Sequence, residues 1–281
     1  MSKTIGVIGI GSIGERHATN LIKLRKAITV LTHDPKSGDE EDNLRHLIYR
    51  SDAIVIASPT PTHLDYIFKV SHASKPMFVE KPVADKYDEI CNAATMVGYN
   101  LRFHACVKKA KEWMQSDVIG EPVWANFTVA QFNDKLDYLR DGVILNWSHE
   151  IDLALYLLGD ASVRSCVSDT PMLADIILMH ENGCHSVVHL DYLTRPEVRQ
   201  TIISGLDATI ILDLVNRQAW LRDADGSILD HLDADDSWDE NYVEEMAAFL
   251  ARVDGQETIG CTGEEGLRVL ELCLKAIKLS Q

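Results

Sequence analysis

The stretch GIGSIGERH, from Gly9 to His17, decides the fold of the N-terminal part of this chain. The residues Thr4 to Ile10 are strand-like, and apolar residues recur at helical spacing from Glu15 to Lys26. The glycines therefore fit the pattern G-x-G-x-x-G directly between a strand and a helix, where a dinucleotide-binding turn must lie. A purely structural glycine-rich turn is the alternative, and the context favours dinucleotide binding.

Each glycine of the pattern has a separate task at a bound dinucleotide. Gly9 makes the tight turn, Gly11 lets the pyrophosphate approach backbone N–H groups, and Gly14 allows the helix to pack closely. The N-terminus of the helix then offers unpaired donors and partial positive charge to the anion. Ser12 and Ile13 lie in the same turn, so we place all five residues in the cofactor site.

Strand-like and helical segments alternate with short links as far as His104. This rhythm predicts an α/β domain in which a parallel sheet is wound with helices, a Rossmann domain. The predicted strands are Ile28–Thr32, Asp52–Pro59, Pro76–Pro82 and Thr95–Asn100, and the predicted helices are Asn43–Arg50, Thr62–Ser74 and Val83–Ala94. Between Pro35 and Asp52 the chain is too short for a further helix–strand unit, and the acidic segment there is an expected loop.

The pattern changes after His104 and predicts a C-terminal α+β domain on a mostly antiparallel sheet. Several β-like runs follow one another between Ser162 and Leu232, and Asp225-Gly226 marks a hairpin. The remaining predicted elements are the helix Ala105–Ser116, the strand Val123–Phe132, the helix His149–Gly159 and two closing helices, Asn241–Ala251 and Glu264–Leu279. The predicted domains are therefore residues 1–104 and 105–281.

Composition excludes several classes of function. The chain has 281 residues and a formal net charge of −16, which opposes binding to nucleic acid and to anionic membranes. No apolar run has the length of a transmembrane helix, and a strand begins too early to leave room for a signal peptide. The six cysteines form no CxxC pair, so we expect free thiols, no metal site and a cytoplasmic location.

The side chains at the end of the second strand select between NAD and NADP. An acid that binds the ribose of NAD normally lies about twenty residues after the glycine turn. Asp34 has that position, but it precedes Pro35 and can serve the turn instead. If the strand ends at Thr32, followed by His33, a small hydroxyl beside an imidazole leaves room for a 2′-phosphate. We therefore predict NAD(P)(H) with a slight preference for NADP(H), and Thr32 and His33 as cofactor contacts.

Several motifs in order resemble those of the glucose–fructose oxidoreductase/inositol dehydrogenase/MocA (Gfo/Idh/MocA) family. After the glycine turn they are EKP at Glu80–Pro82, GYNLRFH at Gly98–His104, SHEIDLALYLLG from Ser148 and GEEGLRVLEL from Gly263. The likeness extends over nearly the whole chain. It implies a Rossmann domain and a C-terminal domain with an open sheet. It also implies oxidation of a sugar, nucleotide-sugar or polyol hydroxyl, or reduction of the ketone, with NAD(P)(H).

The resemblance also implies the catalytic residues. The family's lysine corresponds to Lys81, its helix histidine to His149, and the acid one turn later to Asp152. A base such as His149 can take the hydroxyl proton as the hydride leaves, and Lys81 can stabilise the developing negative charge. Asp152 can orient the imidazole, although a helix salt bridge is an equal alternative. We expect a cis peptide before Pro82.

Further site residues follow from the same resemblance. The predicted substrate contacts are Tyr99, Arg102, Asn146 and His149, and packing explains Tyr99 and Arg102 equally well. Arg195 and Arg199 can anchor an anionic group of the substrate, but ion pairs are the commoner role in so acidic a protein. The remaining predicted cofactor contacts are Pro59, Thr60, His63, Glu80 and Lys81.

Asn146 departs from the family pattern, which usually has an acid three or four residues before the helix histidine. Asn146 and Leu145 occupy those positions, and an amide cannot take a proton. Two alternatives therefore stay open beside the dehydrogenase: a reductase of another acceptor, such as a C=N bond or a tetrapyrrole, and an inactive dinucleotide-binding sensor or partner subunit. We expect a homodimer or homotetramer formed through the C-terminal sheet.

Overall fold

A computed structural model describes residues 3–24, 28–34, 41–132 and 142–281 of the chain. The expected acidic loop therefore lies largely outside the described residues, as does the C-terminal end of the first predicted helix. The α-helices are α1 (Ser12–Leu24), α2 (Glu41–Arg50), α3 (His63–His72), α4 (Ala105–Gln115), α5 (Ser148–Leu158), α6 (Trp238–Val253) and α7 (Gly263–Leu279). Residues 142–146 are also helical.

The chain divides into two compact units, each of which combines an early segment of the sequence with a late one. The first unit comprises Met1–Phe103 and Ser237–Leu270, and the second comprises His104–Asp236 and Glu271–Gln281. A single boundary after residue 104 was predicted from the sequence. The structure divides the units between Phe103 and His104, and in addition α6 and the first part of α7 belong to the first unit.

The first unit contains the predicted parallel sheet. Its strands lie in the order β2-β1-β3-β4-β5, and every pair is parallel. The strands are β1 (Lys3–Ile8), β2 (Ile28–His33), β3 (Ala53–Ile56), β4 (Met77–Val79) and β5 (Met96–Val97). The described residues between β2 and β3 hold only α2, as the short spacing predicts. This sheet is a Rossmann-type arrangement with the reversal of strand order between β1 and β3.

The core of the first unit combines both of its sequence segments. Side chains of the central strands, among them Ile5, Val55 and Phe78, pack with Met246 and Phe249 of α6. All five are completely buried. Because burial of each such side chain contributes about 1.5–3 kcal/mol, α6 is part of this core rather than an appendage.

The predicted helix Val83–Ala94 is wrong. The structure has bends after β4 and then only a short 3₁₀ helix, Glu89–Ala93. Asp88 is extended, and its carboxylate accepts the N–H of Ile90 at 3.0 Å, so it caps the 3₁₀ helix. Aspartate competes with the helical backbone in this way, which explains why the apolar spacing alone misled the prediction.

The second unit contains an eight-stranded sheet, in the order β13-β12-β11-β10-β6-β9-β8-β7. All its pairs are antiparallel except β6 with β9, which confirms the mostly antiparallel prediction. The strands are β6 (Pro122–Ala130), β7 (Ala161–Thr170), β8 (Leu173–His180), β9 (His185–Asp191), β10 (Val198–Gly205), β11 (Ala208–Asp213), β12 (Gln218–Asp223) and β13 (Ile228–Asp233).

Two helices pack on one face of this second sheet. Helix α4 contacts β11 and β12, and helix α5 contacts β6 and β9.

The predicted hairpin joins β12 to β13, and Gly226 there has a φ of 81°, which favours glycine. Gly159 ends α5 with a φ of 89°, as predicted. Over the ranges that the structure describes, no helix is long and apolar enough to cross a membrane.

Candidate functional site

The turns that follow the five strands of the first sheet meet at its carboxyl edge. The N–H of Gly9 donates to the carbonyl of His33 at 2.9 Å, and the N–H of Ala57 donates to the carbonyl of Ile8 at 2.8 Å. These bonds join the ends of β1, β2 and β3 at the point where the strand order reverses. In open parallel sheets, ligands bind in the crevice outside this edge.

The glycine turn has the geometry that a dinucleotide requires. Gly9 has a φ of +90°, and a Cβ there would lie 2.7 Å from the backbone of Ala57 and Ser58. A Cβ on Gly14 would overlap the carbonyl oxygen of Gly9. A Cβ on Gly11, by contrast, would meet no heavy atom within 4 Å. The backbone at Gly11 therefore faces open space beside the start of α1, where a pyrophosphate fits.

The end of β2 differs from the prediction. The strand continues through His33, whose side chain is buried, while Thr32 is exposed. The preference for NADP(H) depended on Thr32 as the last strand residue and is not supported. Asp34 is instead the first residue after the strand, and it directly follows the carbonyl that binds Gly9. An acid in this place is typical of NAD-binding turns.

His63 joins two of the turns at the carboxyl edge. Its ring is 1% exposed, with Nε2 2.8 Å from the carbonyl of Ser58 and Nδ1 3.1 Å from the carbonyl of Pro82. Burial lowers the pKa of His63, while the carbonyls of Ser58 and Pro82 act in the opposite direction. The ring lies between the turn after β3 and the turn after β4 and links them. Pro59 is exposed and Thr60 is half-buried. Contacts of Pro59, Thr60 and His63 with a cofactor remain predictions.

Lys81 is the second residue beyond the carboxyl end of β4, and its side chain is half-buried. The peptide bond between Lys81 and Pro82 is cis, as expected. The N–H of Lys81 donates to Oε2 of Glu80 at 3.1 Å, and Nε2 of His17 lies 2.6 Å from Oε1 of the same carboxylate. Both oxygens of Glu80 therefore bind protein groups, which makes Glu80 a support for the turn.

The sequence analysis missed a cluster around Glu80. Ligand-type atoms of His17, Glu80 and Glu245 all lie within 4.8 Å of one another, and among the described residues they form a group able to hold a metal ion. Tyr242 lies beside them, and burial together with the charges of Glu80 and Glu245 raises the pKa of Tyr242 to about 12. The only indication of this cluster in the sequence was that His17 belongs to the motif GIGSIGERH.

Tyr99 and Arg102 are buried within the first unit. Tyr99 is 0% and Arg102 is 2% exposed, and Nη1 of Arg102 donates to Oε1 of Glu265 at 3.0 Å. The guanidinium thus ties the 3₁₀ helix after β5 to the start of α7. This pairing favours the packing alternative over direct contact with substrate, which remains a prediction for both residues.

In the second unit, His149 is the second residue of α5 and is half-buried, and Asp152 one turn later is completely buried. Asn146 precedes the helix and is half-buried. Between them, the Trp147 ring lies tilted against that of Tyr192, with ring centroids 5.7 Å apart. His149 and Asp152 lie one turn apart on the same helix, and their catalytic roles remain predictions.

The two arginines considered as anion anchors have protein partners. Arg199 is buried, and its Nε and Nη2 both lie 2.7 Å from Oε1 of Glu150, which is 2% exposed. The Arg195 guanidinium carbon lies 3.3 Å from the centroid of the Phe132 ring. Arg199 therefore serves the structural ion pair that the sequence analysis gave as the commoner role.

Comparisons with known proteins agree with this fold. Residues 3–98 match the Gfo/Idh/MocA family, described as an oxidoreductase family with an NAD-binding Rossmann fold. Among curated proteins, the chain is similar to the myo-inositol 2-dehydrogenase of Thermotoga maritima, with 27% identity over 98% of this chain and 95% of that protein. The similarity therefore includes both units.

Solved structures share the fold along the whole chain. The UDP-N-acetylglucosamine 3-dehydrogenase of Acidithiobacillus ferrooxidans has a TM-score of 0.79 and 20% identity, over 100% of this chain and 98% of that one. A levoglucosan dehydrogenase in complex with NADH has a TM-score of 0.84 and 17% identity, over 100% of this chain and 97% of that one. At such identities the likeness establishes the fold.

The different surroundings of two glycines allow a matched test of the turn. We expect Gly11→Ala to fold normally, because its Cβ meets no protein atom, and to weaken NADH binding at least about tenfold, since it blocks close approach to backbone N–H groups. Gly14→Ala should instead lose stability by about 1–3 kcal/mol through its clash with Gly9. Nicotinamide fluorescence titration and thermal unfolding measure the two effects. Unchanged NADH affinity in Gly11→Ala would contradict this assignment.

Proposed function

We propose that the chain is an oxidoreductase of the Gfo/Idh/MocA family and that it works as an NAD(H)-dependent dehydrogenase of a sugar, nucleotide sugar or polyol. The observation that carries the proposal is the glycine turn, with Gly11 open to a ligand and with Lys81 at the same edge of the sheet. The names of its relatives, which include dehydrogenases of inositol and of UDP-N-acetylglucosamine, support this substrate class.

The proposed mechanism assigns one task to each polar group. Bound NAD supplies the hydride acceptor in oxidation, and NADH the hydride donor in reduction. In the oxidative direction, His149 takes the proton of the substrate hydroxyl while the Lys81 ammonium stabilises the negative charge that develops on that oxygen. Asp152, buried on the same helix, orients His149. Asn146 binds a substrate hydroxyl without exchanging a proton.

Asp34 supports NAD(H) rather than NADP(H) as the proposed cofactor. It is the residue after β2, next to the His33 carbonyl that accepts the Gly9 N–H. A carboxylate there binds the 2′-hydroxyl of a ribose and repels a 2′-phosphate.

The open face of the second sheet supports the proposed homo-oligomer. Strand register sets apolar side chains side by side on the face opposite α4 and α5, at Ile177, Val187, Ile202, Ile211 and Trp220, with Asn126 between Val187 and Ile202. Polar side chains flank this apolar row, including Thr128 and Gln200 on one side. An apolar centre with a polar rim is typical of a subunit interface, and we propose a second copy of this chain as its partner.

Replacement of Lys81 tests the catalytic assignment. We expect Lys81→Ala to lower the rate of NADH formation from the best polyol or sugar substrate by about 10²–10⁴, because the transition state loses its cation. Lys86→Ala removes an exposed lysine from the same turn region and should leave the rate unchanged. The measurement is absorbance at saturating NAD over a panel of sugars and cyclitols. Equal rates in wild type and Lys81→Ala would contradict the mechanism, and NADH binding without turnover of any substrate would favour the inactive alternative associated with Asn146.

The proposed ribose contact predicts a change in cofactor preference. Asp34→Ala should weaken NADH binding by about 10–100-fold, because a charged hydrogen-bond acceptor is lost, and should strengthen NADPH binding. Asp65→Ala removes an exposed carboxylate of α3 and is the control for the same change in net charge. Fluorescence titration with both nucleotides provides the comparison. Tighter binding of NADPH than NADH by the wild type would overturn the assignment of Asp34.

The apolar row on the second sheet predicts which substitutions dissociate the assembly. Ile177 in the row is 37% exposed, and Ile228 on β13, outside the row, is 51% exposed. Ile177→Glu places an unpaired charge in the proposed interface, which should raise the dissociation constant at least about 100-fold, whereas Ile228→Glu should have no effect. Sedimentation velocity measures both variants. A monomeric wild type would disprove this interface.

A further inference from the structure

His17 lies on the helix that carries the cofactor turn, yet its ring points away from solvent and toward the turn after β4. The ring is 0% exposed. Phe78 meets it edge-on, with centroids 5.1 Å apart, and Tyr242 lies at 6.2 Å. Because two aromatic neighbours restrict the ring, the direction of its Nε2–H is restricted as well.

The carboxylate of Glu80 is held from several sides. Oε1 accepts Nε2–H of His17 at 2.6 Å, and Oε2 accepts the backbone N–H of Lys81 at 3.1 Å. Gly98 approaches the same carboxylate closely, since a Cβ added to it would lie 3.0 Å from Oε2. The result is a continuous link from α1 through one carboxylate to the backbone of Lys81.

Glu245 lies close to this hydrogen bond. Its side chain is completely buried, and one of its carboxyl oxygens lies within 4.8 Å of the ligand-type atoms of both His17 and Glu80. The hydrogen bond between His17 and Glu80 therefore lies among buried polar groups, where the loss of one partner is costly.

We propose that His17 is a positioning residue for Lys81, acting through Glu80. The imidazole holds one carboxylate oxygen of Glu80 in place, and the other oxygen holds the N–H of Lys81. The backbone that carries the lysine side chain is therefore constrained. The inference depends on the proposed function only for the reaction in which Lys81 takes part. The link itself is a property of the first unit.

Two amide substitutions of His17 distinguish the effect of its hydrogen bond to Glu80 from the effect of having a polar side chain at this position. His17→Gln carries an N–H donor to about the place of Nε2, whereas the shorter His17→Asn is equally polar but does not reach Oε1 of Glu80. His180 is a control, since it is a 2% exposed histidine of the second unit with two hydrogen-bond partners, Gly159 and Ser186. His180→Asn should affect stability alone.

The decisive measurement is hydrogen exchange at the Lys81 amide in the full-length protein. We expect exchange about tenfold faster in His17→Asn than in the wild type and near wild type in His17→Gln. For the reaction, kcat should fall about 10–100-fold in His17→Asn and recover in His17→Gln, because a small displacement of a reacting group is costly. The Kd for NADH should change by less than about threefold, since the substitution leaves the glycine turn and Asp34 unchanged.

Each outcome decides the proposal. Unchanged Lys81 exchange in folded His17→Asn overturns it, and so does faster exchange with unchanged kcat. If His17→Asn does not fold, Gly98→Ala places a Cβ 3.0 Å from Oε2 of Glu80 and should produce the same changes by displacing that carboxylate. If the wild type binds NADH but oxidises no sugar or polyol, the proposed function fails, and the exchange result alone then confirms or overturns the link.

Discussion

The close approach of α1 to the carbonyl of Gly9 is the contact on which the first unit depends. It requires that Gly14 has no side chain, and it brings the start of α1 to the ends of β1, β2 and β3. His17 is three residues after Gly14, so the same helix placement delivers its imidazole to Glu80. One steric constraint thus places the proposed cofactor turn at one end of the helix and brings His17 on its side to Glu80, next to the proposed catalytic lysine.

Local sequence patterns predicted most of the elements, because their physical causes are local. The alternation of strands and helices, the glycine tasks and the Asp225-Gly226 hairpin each depend on a few neighbouring residues. The helix at residues 83–94 failed because Asp88 binds a nearby backbone N–H and starts a short 3₁₀ helix instead. The end of β2 was missed by one residue, since a hydrogen bond from Gly9 extends the ladder to His33.

The candidate site was predictable in its residue types and less so in their roles. These four residues, Lys81, His149, Glu80 and Arg102, all stand in recognisable motifs, and the structure shows Glu80 and Arg102 bound to other protein groups. Their partners are distant in sequence: His17 is separated from Glu80 by 63 positions, and Arg102 from Glu265 by 163. No local pattern indicates such pairs, because a charged residue in a motif looks the same whether it meets a ligand or another side chain.

The return of the chain to the first unit has a consequence for synthesis on the ribosome. Strands β1 to β5 emerge early, but Met246 and Phe249 of their core, and Glu265 as the partner of Arg102, are made only after the entire second sheet. A nascent Rossmann sheet without α6 leaves the apolar surface that this helix covers exposed to water. During synthesis, most residues of the second unit are therefore available for folding before the first unit has all of its core residues. The first unit therefore completes its core only after the strands of the second sheet have been made.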